Sequence, residues 1–170
     1  YYSFWNTQTG ETEPIDGTKL TETQYPVIFG DGKYQLKVWT KDEAGNICED
    51  TWQEEFKVDT TAPELENLYL TTADVDGAVG ILAQDQNSLV YRYIYQNAVN
   101  IQISFNCDIS GQSKIEYQFT SSFAYDNAKW NEYNAKTGLT VNPNKKFILA
   151  VHATDQAGNQ TIVYSDGIIV

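Results

Sequence analysis

Residues 36–48 read LKVWTKDEAGNIC, and residues 149–161 read LAVHATDQAGNQT. Each ends an alternating apolar run in the pentapeptide D-x-A-G-N: Asp42, Glu43, Ala44, Gly45 and Asn46 in the first, Asp155, Gln156, Ala157, Gly158 and Asn159 in the second. The alternation puts Leu36 with Val38, and Leu149 with Val151, on one face of a strand. A glycine beside Asn and Asp is turn chemistry, because glycine accepts positive φ and the short polar side chains bond loop amides. The pentapeptide therefore reads as a strand-to-strand turn whose structural residues are Asp42, Gly45, Asn46, Asp155, Gly158 and Asn159. Calcium is the competing use of the same oxygens, but that ion takes about six to eight of them and each turn offers few.

The two pentapeptides lie 113 positions apart (155 − 42), and upstream the match continues without a gap. Tyr34 falls opposite Phe147, Leu36 opposite Leu149, and Val38 opposite Val151; farther up, Tyr2 and Phe4 meet Ile115 and Tyr117. Downstream, EEFKVDTTAP lies opposite SDGIIV. The stretch Asp59, Thr60, Thr61, Ala62, Pro63 reads as a linker, since Pro63 pre-sets an extended backbone and cannot donate to a ladder. The expectation is a complete copy over 62–170. Copy one, 1–61, starts in mid-domain, holds only C-terminal strands and lacks counterparts of about residues 62–113. Either residues 7–20 (TQTGETEPIDGTKL), copy two or a neighbouring chain is then expected to cover its inner face.

Of 170 residues, 41% are hydrophobic, enough for a real core. Eleven Lys and Arg against 23 Asp and Glu leave a net charge of −12, which repels phosphate backbones and anionic bilayers and argues against nucleic acid as a partner. No run approaches the roughly 18 to 20 apolar residues of a membrane helix, so no direct membrane insertion is expected. The first ten residues, YYSFWNTQTG, lack the basic and apolar regions of a signal peptide. The chain is thus expected to be intracellular or a piece of a larger protein. Cys48 and Cys107 are too few for a disulfide scaffold and have no metal-ligand spacing.

Alternation predicts strands at 65–70, 99–105, 114–119, 139–141, 146–153 and 161–170, with 89–95 as an extra one. No helical period of useful length occurs, and residues 125–138 (YDNAKWNEYNAKTG) form a long connection of unassigned structure. Six short strands at this spacing suggest a sandwich.

The D-x-A-G-N turns and the V-D-T-T-A-P junction together resemble the bacterial immunoglobulin-like repeats of Gram-positive surface proteins. The resemblance covers the C-terminal half of each copy and the linker. It implies an all-β chain of tandem immunoglobulin-like antiparallel β-sandwiches, the first incomplete, exported to the cell surface. It further implies a non-enzymatic spacer or adhesion module whose partners are the neighbouring repeats and a host or cell-wall glycan or protein, with no cofactor. In that fold Tyr34, just after Gly30-Asp31-Gly32, bonds back to the backbone across a corner, with Phe147 as its inward-facing counterpart. Cys48 and Cys107 sit at the upper ends of their own domains and stay unbridged. Lys-Asn isopeptide cross-links occur in such proteins, but no Lys lies between Val58 and Lys114, so the first strands of copy two cannot supply one.

Other chemistry was weighed residue by residue. The single His152 has no Ser or Cys aimed at it by any pattern and reads as a surface or interface residue. Glu54, Glu55 and Asp108 are nominal glycosidase carboxylates without a cleft to hold them apart. In TTADVDGAVGILA, with Gly77 at the sixth place of a calcium loop, Ala83 falls where a bidentate Glu belongs, leaving a turn with surface acids. Trp5, Trp39, Trp52 and Trp130 could form a sugar-stacking platform, which defines the alternative function: an ancillary carbohydrate-binding module of a secreted polysaccharide-degrading enzyme. Core packing is the competing role of those rings.

Overall fold

The computed structural model describes residues 1–14, 17–19, 30–48 and 51–170, and no helix occurs among them. The chain divides into two compact units, residues 1–61 and 62–170.

The second unit contains two sheets. The first has the order β10-β7-β4-β5, from β4 (Glu64–Thr72), β5 (Val75–Gly80), β7 (Val99–Asn106) and β10 (Leu139–Val141). The second runs β6-β13-β11-β8-β9, with β6 (Tyr91–Ile94), β8 (Gln112–Thr120), β9 (Asn131–Glu132), β11 (Lys146–Asp155) and β13 (Gly167–Ile169); β12 (Gln160–Tyr164) also pairs with β11. Every pairing is antiparallel except β6 on β13, which is parallel.

Alternation explains the core. Val99, Ile101, Ile103 and Phe105 point inward from β7, and Leu68 and Leu70 from β4; they share one cluster with Phe147, Leu149 and Val151 of β11. Strand β11 is buried on both faces, as a near-continuous apolar run requires. Ile148 and Ala150, on its outer face, join Ala83 and Tyr164 beneath Phe123 and Trp130. The unassigned connection after β8 is thus a cover for the outer face of the central strand. Each fully buried Leu, Ile or Val here is worth about 1.5 to 3 kcal/mol.

Two expectations need correction. Residues 71–83 are not simply a turn with surface acids: Val75–Gly80 forms β5, a hairpin arm on β4, with Gly77 at φ +83°. Residues 161–170 are not one strand, because the run breaks at Ser165 and Asp166. There the buried Ser165 hydroxyl accepts the Leu149 N–H at 2.9 Å and donates to the Asp166 carbonyl at 2.8 Å. Arg92 of β6 then pairs with the Asp166 carboxylate at 2.8 Å.

The first unit is a three-stranded antiparallel sheet among its described residues: β1 (Tyr2–Asn6), β2 (Gly32–Val38) and β3 (Trp52–Val58), in the order β1-β2-β3. Its centre matches the second unit at the expected offset, but its flanks do not. Tyr2 and Phe4 pair with Val38 and Leu36, whereas Tyr117 and Phe119 pair with Val151 and Leu149. The counterpart of Tyr2 is therefore Tyr117, 115 positions on (117 − 2), and not Ile115. Because the shift is by two, every residue keeps its face. On the other flank Tyr34 pairs with Phe56 as Phe147 pairs with Ile168, an offset of 112 (168 − 56).

The inner face of this sheet is thinly covered by the described residues. Tyr34 is buried, but Phe4, Leu36, Val38 and Phe56 are only half-buried and Trp52 is 52% exposed. Residues 7–20 were one expected cover. Of these, Ile15, Asp16 and Leu20 lie outside the described residues, and Glu13 and Gly17 serve the opposite face. Glu13 pairs with Lys37 at 2.6 Å, Thr18 bridges to Tyr2, and Gly17 abuts the ring of Trp39. Lys37 and Trp39 alternate with Leu36 and Val38, so this is the outer face.

Candidate functional site

The two pentapeptides fold into the same turn. In the first, the Asn46 N–H and side-chain amide donate to the two carboxylate oxygens of Asp42, both at 2.8 Å. In the second, Asn159 donates in the same way to Asp155, both at 2.9 Å. Gly45 and Gly158 sit at φ +94° and +95°, where an L side chain is strained. The Asn46 side chain, then the backbone bonds, hold the Asp42 carboxyl below the usual range. Burial pushes Asp155 up, but the Asn159 bonds outweigh it and the net shift is again downward. Both oxygens of each carboxylate are already engaged inside the turn.

The linker is tied at both ends. The Asp31 carboxylate accepts the Thr60 N–H at 2.8 Å and the Thr60 hydroxyl at 2.7 Å, and also takes the Thr61 hydroxyl. These bonds, the Thr61 hydroxyl first, hold Asp31 below the usual carboxylate range. Asp59 accepts the Thr61 N–H at 3.1 Å, and the Pro63 carbonyl accepts the Thr161 hydroxyl of β12. The Tyr34 hydroxyl donates to the Gly30 carbonyl at 3.2 Å, the corner bond expected, and both Tyr34 and Phe147 are buried.

The remaining candidates do not assemble a reactive centre. His152 is not a surface residue: it lies under Trp130, ring centroids 5.2 Å apart, with Nδ1 3.4 Å from Glu116 Oε2, and neither ring nitrogen has a hydrogen-bond partner among the described residues. Glu54 and Glu55 are exposed neighbours on β3 and point to opposite faces. Asp108 accepts the Asn106 side-chain amide. Ala83 is buried in the outer-face cluster. The four tryptophans are not a platform, since Trp5 and Trp39 are buried, Trp130 packs on the outer-face cluster and only Trp52 is exposed. Cys48 is exposed, Cys107 is half-buried, and no disulfide joins them.

A groove that no motif announced lies at one end of the second unit. Along the inner face of β8, exposure rises from Ile115 (4%) through half-buried Tyr117 to Phe119 (46%). The Phe119 ring packs edge-on against Phe147 at 4.7 Å and divides two hollows. One, about 330 Å³, is floored by Phe119, Phe147 and Val141 and edged by Lys145 and Lys146. The other, about 450 Å³, runs from Phe119 to Tyr125, which is 42% exposed.

The loop carrying Tyr125 is fixed from beneath. The buried Gln118 side chain accepts the Asp126 N–H at 2.9 Å and donates to the Asp126 carbonyl at 3.2 Å. Phe123 packs edge-on to Tyr164, and Tyr125 packs on Trp130. Two exposed rings are thus held on a rigid floor with hydroxyl and amide groups around them. The signal in the sequence was the aromatic content of residues 119–133, which a periodicity search passes over because the segment has no period. No protein-family model, characterised protein or solved structure matches the chain.

Proposed function

We propose that the chain is a non-enzymatic module of a larger bacterial surface protein, made of immunoglobulin-like repeats and serving as a spacer or adhesion element outside the cell. The observation that carries this reading is the pair of D-x-A-G-N turns, which repeat one hydrogen-bond pattern in two separate units. The strand order supports it: β7 lies between β4 and β10, β8 pairs with β11, and β6 runs parallel to β13. Sandwiches of the immunoglobulin type distribute their strands over two sheets in this manner. The order β1-β2-β3 repeats one part of that plan, with β1 in the place of β8, β2 in that of β11, and β3 in that of β12 and β13 together. The test is protease shaving of intact source cells followed by mass spectrometry. Peptides of this chain should be released without lysis, and their appearance only after lysis would sink the proposal.

A carbohydrate-binding module is the second reading, favoured by the Phe119 and Tyr125 groove and not by the tryptophans. The flat apolar faces of pyranose rings stack on exposed aromatic rings while their hydroxyls bond to neighbouring polar groups. Titration of the chain with an oligosaccharide panel, read by NMR, separates a spacer from a glycan-binding module.

A further inference from the structure

We propose that the Phe119–Tyr125 groove binds acidic oligosaccharides, with Lys145 and Lys146 holding the carboxylate of a uronic-acid unit; this rests on the glycan-binding reading above. Charge is the deciding observation. On a chain with net charge −12, the residues lining the two hollows include three lysines and a single carboxylate, Asp126. Lys129 pairs with that carboxylate at 3.0 Å and cancels it. Lys145 and Lys146 remain, and neither takes part in an ion pair among the described residues.

Lys146 is positioned as well as charged. Its ammonium sits 4.2 Å from the centroid of the Tyr91 ring of β6, which lines neither hollow, so the contact steadies the cation at the rim of the groove and leaves N–H donors available. The floor between the lysines and Tyr125 is aromatic, and Thr140 and Asn142 border the Lys145 side. A ligand matched to this surface has an apolar ring face, hydroxyls and an anionic group projecting from the ring edge. A uronic-acid pyranose has all three, whereas a neutral sugar has no anionic group to pair with either lysine. An acidic peptide carries its carboxylates on flexible stems and not on the edge of the ring that stacks on Phe119.

The experiment titrates ¹⁵N-labelled chain with oligomers of galacturonic, glucuronic and mannuronic acid, and in parallel with their carboxyl-reduced neutral counterparts. At least one uronate should shift the amides of residues 117–126 and 140–147. Its affinity should fall about tenfold or more on carboxyl reduction and by a similar factor in Lys145→Gln/Lys146→Gln, the loss expected for a charge-assisted hydrogen bond. These lysines lie on the surface, so amide dispersion checks that the variant is folded. Equal affinity for acidic and reduced sugars overturns the inference and leaves glycan binding standing. Unchanged affinity in the lysine variant overturns the assignment of the carboxylate. Absence of shifts with every sugar overturns both this inference and the glycan reading.

Discussion

Leu36 and Leu149 occupy the same place in the repeat, one offset apart, yet their surroundings differ. Leu149 is fully buried between two sheets, whereas Leu36 is half-buried on a sheet with little from the described residues over its inner face. Leu149→Ala removes the whole transfer gain and leaves a cavity that the two sheets cannot close, so it should cost about 3 kcal/mol. Leu36→Ala forfeits roughly half of a full burial and leaves no closed cavity, about 1 kcal/mol. With a urea dependence of about 1.5 kcal/mol per molar, the midpoints should drop by about 2 M and by about 0.7 M. The amide signals of Asn46 and Asn159, each held inside its own turn, report the two units separately through a urea series in two-dimensional NMR. Equal losses would show that the inner face of the first unit is as well sealed as that of the second, and would refute the view that its described residues leave that face thinly covered.

Three further outcomes are expected. Asp31, Asp42 and Asp155 all have lowered pKa values in the fold, so their contribution is fully present above the unfolded value near 4 and is lost as pH falls below it; Asp155→Asn should be less stable at pH 7 and show a shallower acid limb of its urea midpoint, and parallel limbs would refute this. Tyr34→Phe removes the bond to the Gly30 carbonyl and should cost about 1 kcal/mol in the first unit alone, seen as loss of the Asn46 signal at lower urea with Asn159 unmoved. A Cβ at Gly17 would lie 2.1 Å from Trp39 Cη2, so Gly17→Ala should destabilise the first unit by about 1 to 3 kcal/mol, and Trp39→His should relieve it in a double-mutant cycle.

Much of the fold was legible because its central strand carries a strong period. Phe147, Leu149 and Val151 alternate with residues that are also apolar, and β11 is indeed buried on both sides. The register of β1 was not legible: an offset of 113 or 115 leaves Tyr2 and Phe4 on the same face, so a pattern of period two cannot tell them apart. Strand β5 escaped because Val75, Asp76, Gly77 and Ala78 are exposed and carry no alternation. The break between β12 and β13 depends on a buried Ser165 and on Arg92 far away in sequence, a long-range arrangement with no local signature. The groove was hidden for the same reason, since the loop that sets Tyr125 on the same hollow as Phe119 is held by the clamp of Gln118 on Asp126 and by Phe123 on Tyr164.

One of the four candidate platform tryptophans, Trp39, instead explains how the two units differ. Trp39, one residue past the end of β2, and His152 of β11 are equivalent positions, 113 apart, on the outer side of the central strand. In the first unit the large ring is on the strand and its cover is Gly17, the side-chain-free residue that leaves room for it. In the second unit the smaller imidazole is on the strand and the cover is Trp130. Their partners on the adjacent strand follow suit, with Tyr1 stacked beside Trp39 and Glu116 beside His152. What the repeat retains at this point is filled volume between strand and cover, because an interior packed at crystal density penalises voids and overlaps alike. The residue types are free to exchange across the contact. The turn enjoys no such freedom, because positive φ and a carboxylate that accepts two N–H groups admit few substitutes. That difference is why D-x-A-G-N is legible as a repeat while the segments that cover the strands, which also carry the candidate groove, are not.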